Sequence, residues 1–164
     1  MFESMAAPEN SGIIIQLKVT NIMYYSMITG VILFFIVVMV VIQSKDPSEY
    51  KELNEIFRIV VPLIGLMMMF ISRMVYNKMV SKYNADDSLI KKITDYRTAK
   101  IVSWAMIDGA CFFSLVAAMI TADYLYIAVF IFLFGYFFLM KPSKESFIRD
   151  VRLNSEQSDL ILKS

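Results

Sequence analysis

VTNIMYYSMITGVILFFIVVMVVIQS, residues 19–44, runs for 26 residues without a charged side chain, and its reading decides the fold. A helix needs about 20 apolar residues to cross the roughly 30 Å hydrocarbon core of a bilayer. The stretch is long enough to span a membrane with some tilt. The whole chain agrees with it: 58% of the 164 residues are hydrophobic, against about 45–50% in soluble domains, and the mean hydropathy is +0.60.

On the N-terminal side, MFESMAAPENSGIIIQLK (1–18) carries acids and a proline where a signal peptide would carry a basic segment. The first apolar stretch is therefore expected to stay in place as a span, with 1–18 as a cytoplasmic N-terminal segment. On the C-terminal side, residues 59–72 are 14 uncharged residues between Arg58 and Arg73. They span only as part of a longer helix, 57–78, with Arg58 snorkelling outward at one end and Pro62 bending its first turns. A third span covers 101–122 and is interrupted only by Asp108. The fourth, 124–140, has 17 residues, and little more than Asp123 separates the two, which predicts an antiparallel hairpin.

The expected architecture is all-α: an antiparallel, up-down four-helix membrane bundle over residues 19–140, followed by a cytoplasmic tail, 141–164. Short amphipathic helices are expected on its cytoplasmic side. DPSE at 46–49 reads as a helix start with an Asp cap and Pro at the first helical position. In 86–100, Leu89, Ile90, Ile93 and Tyr96 share one face, which suits a helix lying against the membrane surface and running into the third span. The tail offers Phe147, Ile148 and Val151 as a weaker apolar stripe.

Sixteen basic and 15 acidic residues leave a net charge of +1, so no attraction to nucleic acid is expected. Their distribution is informative: the side holding both termini carries 13 of the Lys and Arg residues, the other only Lys45, Lys51 and Arg58. The positive-inside rule then places both termini in the cytoplasm. With no His and a single Cys, Cys111, the usual metal ligands and general bases are missing, and no cofactor is expected. Met67, Met68 and Met69 point in different directions around a helix and read as packing rather than as a soft-metal site. Neither a glycine-rich phosphate loop nor a nucleophile with a base at hand is present, so the chain does not read as an enzyme.

The polar residue that stands out is Asp108, in SWAMIDGACFF (103–113). Counted inward from Lys100 it lies roughly 12 Å deep, where an ionised carboxylate is costly unless paired, hydrated or protonated. Three readings follow. Arg73 on the second span, counted inward from Lys78, falls at a similar depth and could form a buried bridge that sets helix register. An unpaired Asp108 could instead bind and release a proton or cation. A third possibility is a polar contact with another subunit. Trp104, one turn earlier on the same face, could donate an N–H to Asp108 or anchor near the interface. Ala110, Ser114, Ala118 and Ala122 recur every four residues, with Ala105 and Gly109 as a further pair. Their smooth side suits close helix packing, within the chain or against a second copy.

From Ser88 to Asp150 the chain resembles a family of small bacterial four-helix inner-membrane proteins of unknown function. The likeness lies in the acid followed by small and apolar residues, IDGACFF, and in the KPSKE exit after the fourth span. Over the third span alone it is similar to the ion-carrying helix of rotary ATPase proteolipids. The first resemblance implies a bacterial inner-membrane protein. With the residues above it leads to an accessory or assembly subunit that meets the lipid bilayer and another subunit, or a second copy, through helix packing. The alternative is a small proton- or cation-coupled membrane protein that uses Asp108.

Overall fold

The structure is a computed structural model that describes residues 3–44, 51–82 and 88–151. Among these every regular element is helical: α1 (Glu3–Ile42), α2 (Lys51–Val80), α3 (Leu89–Thr121), α4 (Leu125–Leu139) and α5 (Lys144–Val151). Three of them, α1, α2 and α3, are long and apolar enough to cross a membrane. The fourth apolar helix, α4, has 15 residues and is about 22 Å long, shorter than the 17-residue reading of its sequence. The DPSE stretch lies outside the described residues.

The helices begin and end where their chemistry allows. Ser88 caps α3, its hydroxyl accepting the Lys91 N–H, and this cap opens the amphipathic segment expected to run into the third span. That segment is the first part of α3, continuous with the apolar run. At the other end Ala122 adopts a left-handed conformation, φ 51°, and its N–H closes onto the Ala118 carbonyl. This cap reverses the chain within three residues. α1 likewise joins the N-terminal segment and the first apolar run in one helix, and α2 continues through Pro62 without a break.

α3 is the centre of the packing and touches α1, α2, α4 and α5. Half of its apolar stretch is buried, against 22% for α1 and 17% for α2, so α1, α2 and α4 present apolar outer faces. Ile22, Leu33 and Val40 of α1, Ile59 and Phe70 of α2, and Ile131 and Leu139 of α4 are all exposed. α2 and α4 approach closely at Gly65, where a Cβ would come within 3.2 Å of Leu133. A second, smaller core joins Ile93 and Tyr96 of α3 to Phe147 and Val151 of α5. Ile93 and Tyr96 are thus covered by the C-terminal stripe, with the Tyr96 and Phe147 rings 5.0 Å apart, whereas Ile90 is exposed.

Candidate functional site

Asp108 lies one turn after Trp104 and one turn before Phe112, so the three share a stripe of α3. Trp104 packs on Tyr24, with ring centroids 5.1 Å apart, and Phe112 on Phe34, at 5.2 Å. The stripe therefore faces α1, and Asp108 stands level with the α1 residues midway between Tyr24 and Phe34. The inward positions there are Met27, Ile28 and Val31, which offer no hydrogen-bond donor, and the Thr29 hydroxyl is turned back onto the Tyr25 carbonyl at 2.8 Å. The Asp108 Oδ1 atom is buried and makes no hydrogen bond among the described residues. Ala105 and Gly109 beside it on α3, and Gly30 of α1, are exposed, and a Cβ added at either glycine would meet nothing within 4 Å.

Arg73 is not the partner of Asp108. It is exposed, and the neighbouring Ser72 faces α3, with its Oγ 2.6 Å from the Ser103 Oγ and 3.0 Å from the Ser103 carbonyl. This buried contact sets the register between α2 and α3. It places Arg73 near the level of Ser103, roughly 7.5 Å along the axis from Asp108, and on the outer side of its helix. Counting depth from flanking lysines missed both the offset and the direction.

Trp104 does not serve Asp108 either. Fully buried, it donates its indole N–H to the Met140 carbonyl at 3.2 Å, while the Tyr24 hydroxyl donates to the Phe137 and Phe138 carbonyls, each at 3.1 Å. These carbonyls lie at the C-terminal end of α4, where those of Phe137 and Phe138 also accept the Met140 N–H, so donors from α1 and α3 together reinforce that helix end. Ala110, Ser114, Ala118 and Ala122 are all buried inside the chain, and the Ser114 hydroxyl donates to the Tyr126 carbonyl of α4 at 2.7 Å. This small-residue face is occupied by the chain's own packing; the exposed small residues are Ala105 and Gly109.

A polar cluster that sequence reasoning passed over lies at the α3–α4 turn. Asp123 Oδ2 accepts from the Asn54 amide at 2.9 Å and from Arg58 Nε and Nη2 at 3.2 and 3.0 Å, and its Oδ1 accepts the Leu125 N–H at 2.9 Å. The Tyr126 hydroxyl donates to Asn54 Oδ1 at 2.5 Å and to the Asn54 carbonyl at 3.1 Å. Burial, the largest single influence on the Asp123 carboxyl, raises its pKa. The bonds from Leu125, Asn54 and Arg58 and the Arg58 charge together outweigh it, and the carboxyl is held below the ordinary range. Only the position of Asp123 in a very short turn could have drawn attention to it.

At the opposite end, Lys100 is buried with its Nζ 4.5 Å above the Tyr76 ring and 5.4 Å from the Tyr96 ring. The Tyr76 hydroxyl donates to Asp150 of α5, and the Tyr96 hydroxyl pairs with Ser146 at 2.8 Å. α5 is thus fastened to α2 and α3 by polar groups around its small apolar core. No protein family matches the chain, and no curated protein or solved structure is similar to it.

Proposed function

We propose that the protein is a multi-pass protein of the bacterial inner membrane, with four helices in the bilayer and both termini cytoplasmic. In this reading it serves as an accessory or assembly subunit that holds a helix of another subunit, a different protein or a second copy, against the α1–α3 seam. The observation that carries the reading is the Asp108 carboxyl oxygen, buried without a hydrogen-bond donor among the described residues and set beside exposed Ala105 and Gly109. Small residues let a neighbouring helix approach closely, and a polar group at such a seam is strengthened by a partner across it. A hydroxyl, amide or basic group on the docked helix would supply the donor that α1 lacks. The apolar outer faces of α1, α2 and α4 support the membrane setting, and the excess of basic residues at one end supports the orientation.

The test is a photo-crosslinking amino acid placed at position 109 in the full chain in native membranes, with and without Asp108→Asn. A discrete protein adduct that weakens in the Asp108→Asn background supports docking at the seam. Adducts to lipid alone, or an adduct indifferent to residue 108, would overturn it.

A second reading has the same observation in its favour, since an unpaired intramembrane carboxylate is also what an ion-binding site needs. It predicts that Asp108→Asn, normally folded, abolishes proton or cation flux into proteoliposomes. Subunit docking predicts no flux from the wild-type chain alone.

A further inference from the structure

An apolar groove lies between α2 and α4, and the Arg58–Asp123 pair is about one helical turn beyond its end at Pro62. The groove has a volume of about 300 Å³ and is lined by Pro62, Gly65, Ala128, Val129, Phe132 and Leu133, with Leu66 at its edge. It exists because Gly65 brings α2 onto Leu133 while Ala128 leaves the opposite wall low. Arg58 precedes Pro62 by one helical turn on the same stripe, roughly 6 Å along the axis. On the other wall Asp123 lies just before α4, whose next turn supplies Ala128 and Val129. A charged pair thus lies near a slot with no polar residue in its walls.

We propose that this groove binds one phospholipid with a primary-amine, zwitterionic headgroup, its acyl chain in the slot and its headgroup on the ion pair. The proposal rests on the membrane reading above and adds a ligand to a different face. The headgroup class follows from charge complementarity. The Arg58 side chain is 60% exposed, and its Nη1 has no partner among the described residues, so it can donate to a phosphate oxygen. Asp123 Oδ1 accepts only the Leu125 N–H among the described residues and keeps a lone pair for an ammonium N–H. Asp123 already neutralises Arg58, so an anionic headgroup gains little. A quaternary choline has no N–H to give.

The experiment purifies the full chain from vesicles of equal parts ethanolamine, glycerol and choline phospholipids and measures retained lipid by native mass spectrometry. The expected result is one ethanolamine phospholipid held in preference to the other two. Ala128→Phe, which fills the slot from an exposed position, is expected to lower its bound fraction roughly tenfold. Arg58→Lys is expected to reduce the preference for it. Equal retention of all three lipids by the wild-type chain would overturn the proposal whether or not any variant folds. Retention unchanged by Ala128→Phe, or a crosslinked second copy seated in the groove, would overturn it too. Alkaline extraction separates this from the underlying reading: a chain released from membranes contradicts the membrane assignment, whereas an integrated chain without headgroup preference contradicts the lipid site alone.

Discussion

Asp108 and Asp123 stand fifteen residues apart on the same helix and its turn, and the chain treats them in opposite ways. Asp123 receives four hydrogen bonds, from Asn54, Arg58 and Leu125, and ties the α3–α4 turn to α2. Asp108, in the middle of the central helix, has a buried oxygen with no bond among the described residues. The difference teaches where each acid belongs: Asp123 completes the fold, while Asp108 is a cost that the fold alone does not offset. A carboxylate with several internal donors is held by the fold. One left without them points outside the chain.

The comparison breaks most directly at its strong side. Asp123→Ala is expected to destabilise the protein by about 2 kcal/mol, because it strands Asn54 and removes the Leu125 acceptor; the exposure of Arg58 keeps the ion pair's own share small. Reversible unfolding in mild detergent would measure it. A loss no larger than that of Asp108→Asn would remove the contrast. The Ser72–Ser103 contact comes next: Ser72→Ala should cost about 1 kcal/mol, seen in the same assay, and a neutral result would question the α2–α3 register.

Acid should act on Asp123 in a defined direction. Its pKa is depressed in the fold, so its contribution is complete above the ordinary Asp value of about 3.9 and is lost as pH falls through the lower folded value. Stability followed by tryptophan fluorescence should decline in that acid range for the wild type and more weakly for Asp123→Asn. At the small end, Ala122→Gly should stabilise by about 0.5 kcal/mol, since glycine takes the left-handed cap without penalty. Asp108→Asn should leave the stability of the isolated chain unchanged or slightly raised, since it removes an unpaired charge and keeps the side-chain shape. A large loss there would mean that Asp108 has an internal role after all.

How much of this was legible in the sequence depended on whether one helix or two were involved. The uncharged runs announced the three long helices because length and polarity are properties of one segment. The apolar stripes at Ile93 and Tyr96 and at Phe147 and Val151 were each visible, but nothing in either showed that they cover one another. Spacing every four residues marked Ala110, Ser114, Ala118 and Ala122 as a packing face and left open whether the chain's own second or fourth span or a second copy covers it; the structure puts it inside the chain. Depth counting made Arg73 a partner for Asp108 because it carried neither register nor direction, both of which are set by the Ser72–Ser103 contact. The Asp123 cluster was the least legible. Asn54, Arg58 and Tyr126 are ordinary until the α3–α4 turn brings them to one carboxylate.

The most direct test of the central claim is the crosslink from position 109 in native membranes, compared between the wild-type and Asp108→Asn backgrounds, with position 59 on an exposed apolar face as control. A discrete protein adduct is expected at 109 that depends on the carboxylate, and none of that size at 59. The same adducts at both positions, or one at 109 that ignores residue 108, would contradict it.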